Sequence, residues 1–371
     1  MTVRGLRAVF LCSADSYRGS AVSFQHLASG ITARGAVVRI VTGHEALTTP
    51  MRADGLDVVQ LDLRSTHLRT ALRLRDELRD FGAEVLVVDR PRDLRLGYLA
   101  TIGTRVALVS RYNSHAPHPP HDLMTRLAYL FGVKGTIFLT QEKADHVLQW
   151  APWMRRAPHR VIPEGISLDE FRPDTEEAAS FRARHGLGDA PFVLTVGALT
   201  GEKRTAMVVD ALCLVPGKPM LVLCGEGPLH DELRQRCEGR GVPVRFLGRL
   251  PRAELRGAYS AASVVAHACA VETFGLSVLE AMACGAPVVG VRSGGLLEVV
   301  GETATAGLLV DCDDAAAMAA AIERVLSDPE FAGQLRQGGR ARAESKFALD
   351  RMTTSYGDAM LDARRPVTHD R

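Results

Sequence analysis

The stretch SVVAHACAVETFGLSVLEAMACGAPVVGV (263–291) contains one full period of an alternating chain. SVVAHA (263–268) is a short apolar run that reads as a buried strand ending near Ala268. From Leu276 onward the apolar residues Leu276, Leu279 and Ala283 recur at helical spacing. Gly285 and Pro287 end that helix and launch a second buried run, PVVGV (287–291). A strand, a helix and a strand in succession imply parallel pairing, and the loop 269–275 then lies at the carboxyl edge of the sheet. Gly275 lets the backbone there approach a ligand closely. The amides of Gly275, Leu276 and Ser277, at the positive end of the helix dipole, suit a phosphate. Glu280, one turn in, can accept hydrogen bonds from a ribose, and Glu272 on the loop from hydroxyls beyond the phosphates. A glutamate in a first helical turn is also ordinary dipole complementarity, so its neighbours decide between the two readings.

The same alternation extends in both directions. The first half carries AVFLC (8–12), VVRIVT (37–42), EVLVVD (84–89), RVALVS (105–110) and GTIFLT (135–140), separated by helical stretches. The second half restarts with FVLTVG (192–197) and continues through PMLVLCG (219–225), VRFLG (244–248), the quoted stretch and GLLV (307–310). The segment between them, VIPEGISLDEFRPDTEEAASFR (161–182), is rich in Pro, Gly and acids and reads as a connection between domains. The expectation is an α/β chain of two Rossmann-like domains facing each other across a cleft at the carboxyl edges of their sheets.

Composition narrows the function. In 371 residues, 45 Lys and Arg nearly balance 43 Asp and Glu, so no global field gathers nucleic acid or an anionic membrane. The seven cysteines show no CxxC or Cys/His spacing and read as reduced core thiols in a cytoplasm. The N-terminal apolar run is too short for a signal peptide, and no stretch approaches a membrane span. DCDD (311–314) contains a D-x-D pattern, but it precedes an alanine-rich helix, where Asp313 or Asp314 reads as an N-cap; no metal site is expected. Both tryptophans lie in WAPWMRRAPHR (150–160), where two prolines break any amphipathic helix.

ETFGLSVLEAMACGAPVVGVRSGGLLEVV (272–300), with its E-x7-E pair Glu272 and Glu280 and its GG-x-x-E at Gly294, Gly295 and Glu298, resembles the signature of glycosyltransferase family 4, retaining GT-B enzymes. VIPEGISLDEFRP, VGALTGEK, LVLCGEGPL, FLGRLPRAEL and GLLVDCDD are similar to other family segments in the right order, which makes the resemblance specific over residues 155–360. It implies an N-terminal acceptor-binding domain (1–163), a C-terminal donor-binding domain (164–345) and a last helix (346–371) crossing back to the first. The implied activity moves a sugar from a nucleoside diphosphate to a hydroxyl, with no metal or cofactor. By resemblance, Glu280 holds the ribose, and Glu272 with Thr273, Phe274 and Gly275 the donor sugar. Leu276 and Ser277 bind the diphosphate, Lys203 neutralises its developing charge, and Arg249 and Leu250 contact the base. Gly19, Gly197 and Gly225 fall in loops approaching the donor.

The chain also departs from the pattern. Ala198 follows Gly197 where an arginine is usual, and Arg204, standing where glycine is usual, is the candidate replacement. Glu164, Gly165, Ile166 and Ser167 replace the family's nG(V/I)D. Many members place a histidine near the reacting carbon, just after the fourth strand. Here SRYNSHAPHPPH offers Arg111, Tyr112, His115, His118 and His121: Arg111 and Tyr112 match best by position, and His115 is the nearest histidine. The acceptor is expected to be a soluble small molecule such as a specialised metabolite, with a homodimer possible. Two other classes stay open: a sugar-nucleotide epimerase of the same fold and a nucleotide-sugar sensor without turnover. A dehydrogenase is disfavoured because GEGPLH (225–230) lacks the third glycine of G-x-G-x-x-G.

Overall fold

A computed structural model describes residues 3–14, 19–63, 68–113 and 122–365. Its first sheet has seven parallel strands: β1 (Arg7–Cys12), β2 (Val37–Thr42), β3 (Asp57–Gln60), β4 (Val85–Val88), β5 (Ala107–Tyr112), β6 (Val133–Phe138) and β7 (His159–Val161), in the order β3-β2-β1-β4-β5-β6-β7. The second has six: β8 (Phe192–Val196), β9 (Met220–Cys224), β10 (Val244–Gly248), β11 (Val264–His267), β12 (Val288–Val291) and β13 (Leu308–Val310), in the order β10-β9-β8-β11-β12-β13. The chain divides into two compact units, Met1–Gly165 with Leu349–Arg371, and Ile166–Ala348.

Central strands are apolar throughout because both faces are covered. In β1, Ala8, Phe10 and Cys12 enter one hydrophobic cluster while Val9 and Leu11 enter the other, on the opposite face. The first cluster is closed by the final helix, Leu349–Ala363, which packs on the Gly19–Ala33 helix and on β5 and β6. Its buried residues Met352, Tyr356, Met360 and Ala363 recur every three or four positions, giving one apolar stripe. Where the two helices meet, a Cβ on Gly30 would stand 2.3 Å from a Thr353 methyl, so glycine there sets how closely they approach.

The sequence reading missed β3 and β7. They are edge strands of four and three residues with exposed positions, too short and too polar to show a buried apolar run. β5 also runs two residues beyond the expected RVALVS, which takes Arg111 and Tyr112 out of the loop and into the strand. The D-x-D segment caps a helix: the Asp314 carboxylate accepts from the Ala317 amide at 2.8 Å. In the tryptophan segment, Trp153 packs edge-on against Tyr129, while Trp150 is half exposed.

In each sheet the strand order reverses once, between β1 and β4 and between β8 and β11. Open α/β sheets bind ligands at the carboxyl ends of the strands flanking such a reversal.

Candidate active site

The reversal in the second unit places two loops together. After β8 the chain turns through Gly197 and Ala198 to a short 3-10 turn, Gly201–Lys203. The Gly197 amide donates to the Cys224 carbonyl at 3.0 Å, and the Leu199 amide to the Glu226 carbonyl at 3.0 Å. This contact requires glycine, since a Cβ on Gly225 would stand 1.8 Å from the Gly197 carbonyl oxygen. The braced loop delivers Lys203, whose Nζ donates to Glu272 Oε2 at 2.7 Å.

Glu272 sits on the loop after β11 and is held from several sides. Its Oε2 also accepts from His267 Nε2 at 3.0 Å, and its carbonyl accepts from the Gly295 amide at 3.1 Å. A Cβ on Gly295 would lie 2.5 Å from the Phe274 nitrogen, so the second glycine of the GG pair lets the Gly294–Val300 helix press against the loop. Ser293 Oγ adds a bond to the Cys269 carbonyl at 3.0 Å. Burial opposes the Glu272 charge, but the His267 hydrogen bond and the Lys203 charge outweigh it and hold the carboxyl well below its ordinary range. Burial likewise opposes the Lys203 charge, yet Glu272 raises its pKa above the ordinary value. Both groups are therefore ionised at neutral pH.

The next residues form the expected helix start. Gly275 adopts φ 92°, a left-handed conformation suited to glycine, and no side chain caps the Leu276–Ala283 helix. Thr273 is half-buried, and Phe274 is buried edge-on against Phe347, 5.7 Å between ring centroids. Glu280 is buried on this helix. Its Oε1 accepts from Arg252 Nη1 at 2.9 Å and its Oε2 from the Tyr259 hydroxyl at 3.0 Å. Burial raises the Glu280 pKa against the pull of Arg252 and Tyr259. Arg249 is exposed and Leu250 half-buried just beyond β10.

Two expected residues are engaged elsewhere. Arg204 occupies a left-handed position (φ 51°), which explains why glycine is usual there, and its guanidinium is paired with Asp313, itself at φ 69°. Arg111 is engaged more deeply. Its side chain is fully buried in the first unit, paired with Asp89 at 3.1 Å and with Glu164, and bonded to Ser23 Oγ at 2.8 Å. Tyr112 is 7% exposed, Gly19 begins the Gly19–Ala33 helix, and His115, His118 and His121 lie outside the described residues.

The sequence reading did not find His267, Arg252 or Tyr259. His267 ends a strand it had identified, and Arg252 and Tyr259 lie seven apart on the Arg252–Ala261 helix, hence on one face. That spacing was the only signal available, and many ordinary helices show it.

Residues 178–342 match the family described as Glycosyl transferases group 1. The match lies within the second unit, Ile166–Ala348. The chain is 35% identical over 191 residues to a GDP-mannose-dependent alpha-(1-6)-phosphatidylinositol monomannoside mannosyltransferase of Mycolicibacterium smegmatis, covering 48% of this chain and 50% of that protein. It is 39% identical over 185 residues to a D-inositol 3-phosphate glycosyltransferase of Corynebacterium urealyticum, covering 46% and 43%. It thus spans about half the length of the curated relatives it matches. Solved structures extend the likeness to nearly the whole chain. A glycosyltransferase of Rickettsia africae superposes with a TM-score of 0.86 at 15% identity over 97% of this chain and 98% of that one. Anabaena HepE in complex with UDP gives 0.84 at 19% identity over 96% and 100%. At such identities the likeness establishes the fold, the GT-B class with two Rossmann-like domains. Among the described residues no helix is long and apolar enough to cross a membrane.

Proposed function

We propose that this protein is a retaining glycosyltransferase that moves a sugar from a nucleoside diphosphate to a hydroxyl of a soluble small molecule. The observation that carries the reading is the Lys203–Glu272 ion pair, 2.7 Å, where the second sheet reverses its order, on the loop that leads into an uncapped helix N-terminus. An uncapped N-terminus with its dipole suits a diphosphate, and a fixed lysine neutralises the charge that grows on it as the sugar departs. The described residues place both donors to Glu272 on Oε2, which leaves Oε1 to accept a sugar hydroxyl. Glu280 holds the ribose through the lone pairs that Arg252 and Tyr259 leave over, since a carboxylate offers about four. Glu272 is assigned sugar positioning and not nucleophilic attack. All seven cysteines are free thiols, which supports a reducing compartment.

The printed names of the relatives give a donor, GDP-mannose, and acceptors built on inositol, so GDP-mannose and an inositol-type polyol are the first pair to assay. A melting-temperature panel with UDP, GDP, dTDP and ADP and their sugars identifies the donor, because a ligand that binds only the folded state raises its stability. No shift with any of the eight overturns the reading. Product formed from the donor alone would point to an epimerase instead.

Two further results are expected. Glu280→Ala lowers nucleotide affinity by about 10- to 100-fold, the loss of one or two charged hydrogen bonds. Because it also strips Arg252 and Tyr259 of their acceptor, Glu280→Gln is measured beside it, and unchanged affinity in a folded variant removes the ribose assignment. Catalysis is independent of divalent metal, since Lys203 and the helix amides do the work of a metal. Activity therefore survives EDTA; activity abolished by EDTA and restored by magnesium or manganese contradicts this.

A further inference from the structure

The loop after β11 places three metal-binding side chains of different chemistry together. His267, Cys269 and Glu272 follow one another as H-x-C-x-x-E, and one ligand atom from each lies within 4.8 Å of the others. His267 and Cys269 are buried and Glu272 is half-buried, so the backbone bonds from Ser293 and Gly295 fix their loop in place. His267 Nε2 already points at the Glu272 carboxylate, 3.0 Å away.

We infer that these residues form an inhibitory zinc site, in which Zn²⁺ and Lys203 compete for the same carboxylate. The inference rests on the donor-site reading above. An imidazole, a thiolate and a carboxylate are the mixed borderline and soft donors that select Zn²⁺ over Mg²⁺ or Mn²⁺. Tetrahedral zinc with those ligands sets donor atoms roughly 3.3–3.7 Å apart, so the widest pair draws in by at most about one ångström while the His267–Glu272 pair opens slightly, which side-chain rotation can supply. Three protein ligands leave the fourth position for water. Binding expels the Cys269 thiol proton and shifts the His267 ring proton from Nε2 to Nδ1, so affinity falls on acidification. It also drives Lys203 from Glu272, because a lysine cation and a zinc ion cannot share one carboxylate at 2.7 Å. Bound zinc therefore removes the leaving-group cation and the sugar acceptor together, while the magnesium and manganese that serve other transferases leave the protein indifferent.

The full chain is titrated with Zn²⁺, and with Co²⁺ as a spectroscopic probe, before and after addition of UDP or GDP, whichever raises the melting temperature. The expected result is one equivalent of metal, a near-ultraviolet thiolate-to-cobalt band, and an apparent zinc dissociation constant that rises in proportion to nucleotide concentration. Cys269→Ser abolishes the band and weakens zinc binding at least tenfold while nucleotide affinity stays within about twofold. His267→Gln weakens zinc equally and serves where the serine variant melts early. A wild-type cobalt spectrum without the thiolate band overturns the site. A nucleotide that binds but does not displace zinc overturns the competition and leaves the donor reading standing. The thiolate band in a protein whose melting temperature none of the four nucleotides or their sugars raises keeps the metal site and removes the donor reading.

Discussion

Lys203→Ala is expected to lower kcat by about 10²- to 10³-fold at saturating donor, the usual cost of removing one preorganised group from a developing charge. The size follows from how Lys203 is held. Its Nζ is bonded to Glu272 at 2.7 Å and its side chain is largely buried, so the cation stands in place before the diphosphate arrives. Its pKa lies above the ordinary lysine value, so it stays charged through the whole range in which activity would be measured. KM should change less than kcat, because the charge it answers grows as the sugar leaves. Arg204→Ala, one residue on, is expected to stay within about threefold of wild type, since Asp313 already holds that guanidinium and exposed pairs contribute little. Ala198→Arg in the Lys203→Ala background restores part of the lost rate by returning a cation to the position where the family has one. Wild-type kcat in Lys203→Ala removes the leaving-group role, and an Arg204→Ala loss as large as that of Lys203→Ala restores Arg204 as the second cation.

What could be read from the sequence divides along physical lines. Strands buried on both faces, such as β1 and β12, appear as short runs of Val, Ile and Leu, because nothing polar can face either layer. Edge strands β3 and β7 lack that signal because water reaches them. The loop 269–275 was legible because one glycine, one helix start and two glutamates at fixed spacing have few other uses together. Its partners were not, because His267, Arg252 and Tyr259 reach Glu272 and Glu280 through folded contacts that no local spacing encodes. The two departures in the first unit turn out to be one feature. Glu164 stands where the pattern has asparagine and Arg111 near where it has histidine, and the two are ion-paired. Each looks anomalous alone, and together they balance one buried charge with another.

Arg111→Met is therefore expected to destabilise the first unit by about 3–5 kcal/mol, the cost of stranding buried carboxylates without their cation. For a unit of this size that is a melting-temperature loss of roughly 6–20 °C. The guanidinium is enclosed by Asp89, Glu164 and Ser23, lies 5.2 Å from the centre of the Phe24 ring, and meets Tyr356 of the last helix. The pH dependence tests the cause. Burial pushes the Asp89 carboxyl up to about 6 despite the Arg111 charge, against an ordinary value of 3.8. A carboxyl raised on folding binds its proton more tightly in the folded state, so its cost falls as pH drops through about 6 toward 3.8 and stands at its full, constant value above about 6. Without Arg111 the Asp89 pKa rises further. Arg111→Met should thus lose more stability at pH 7.5 than at pH 5.5, relative to wild type. Adding Asp89→Asn and Glu164→Gln removes both stranded charges and should recover most of the loss, since a neutral hydrogen-bonded core tolerates burial better than an unpaired ion. A loss that is equal at both pH values, or one that the triple variant does not recover, would mean that Arg111 contributes by filling volume and not by charge.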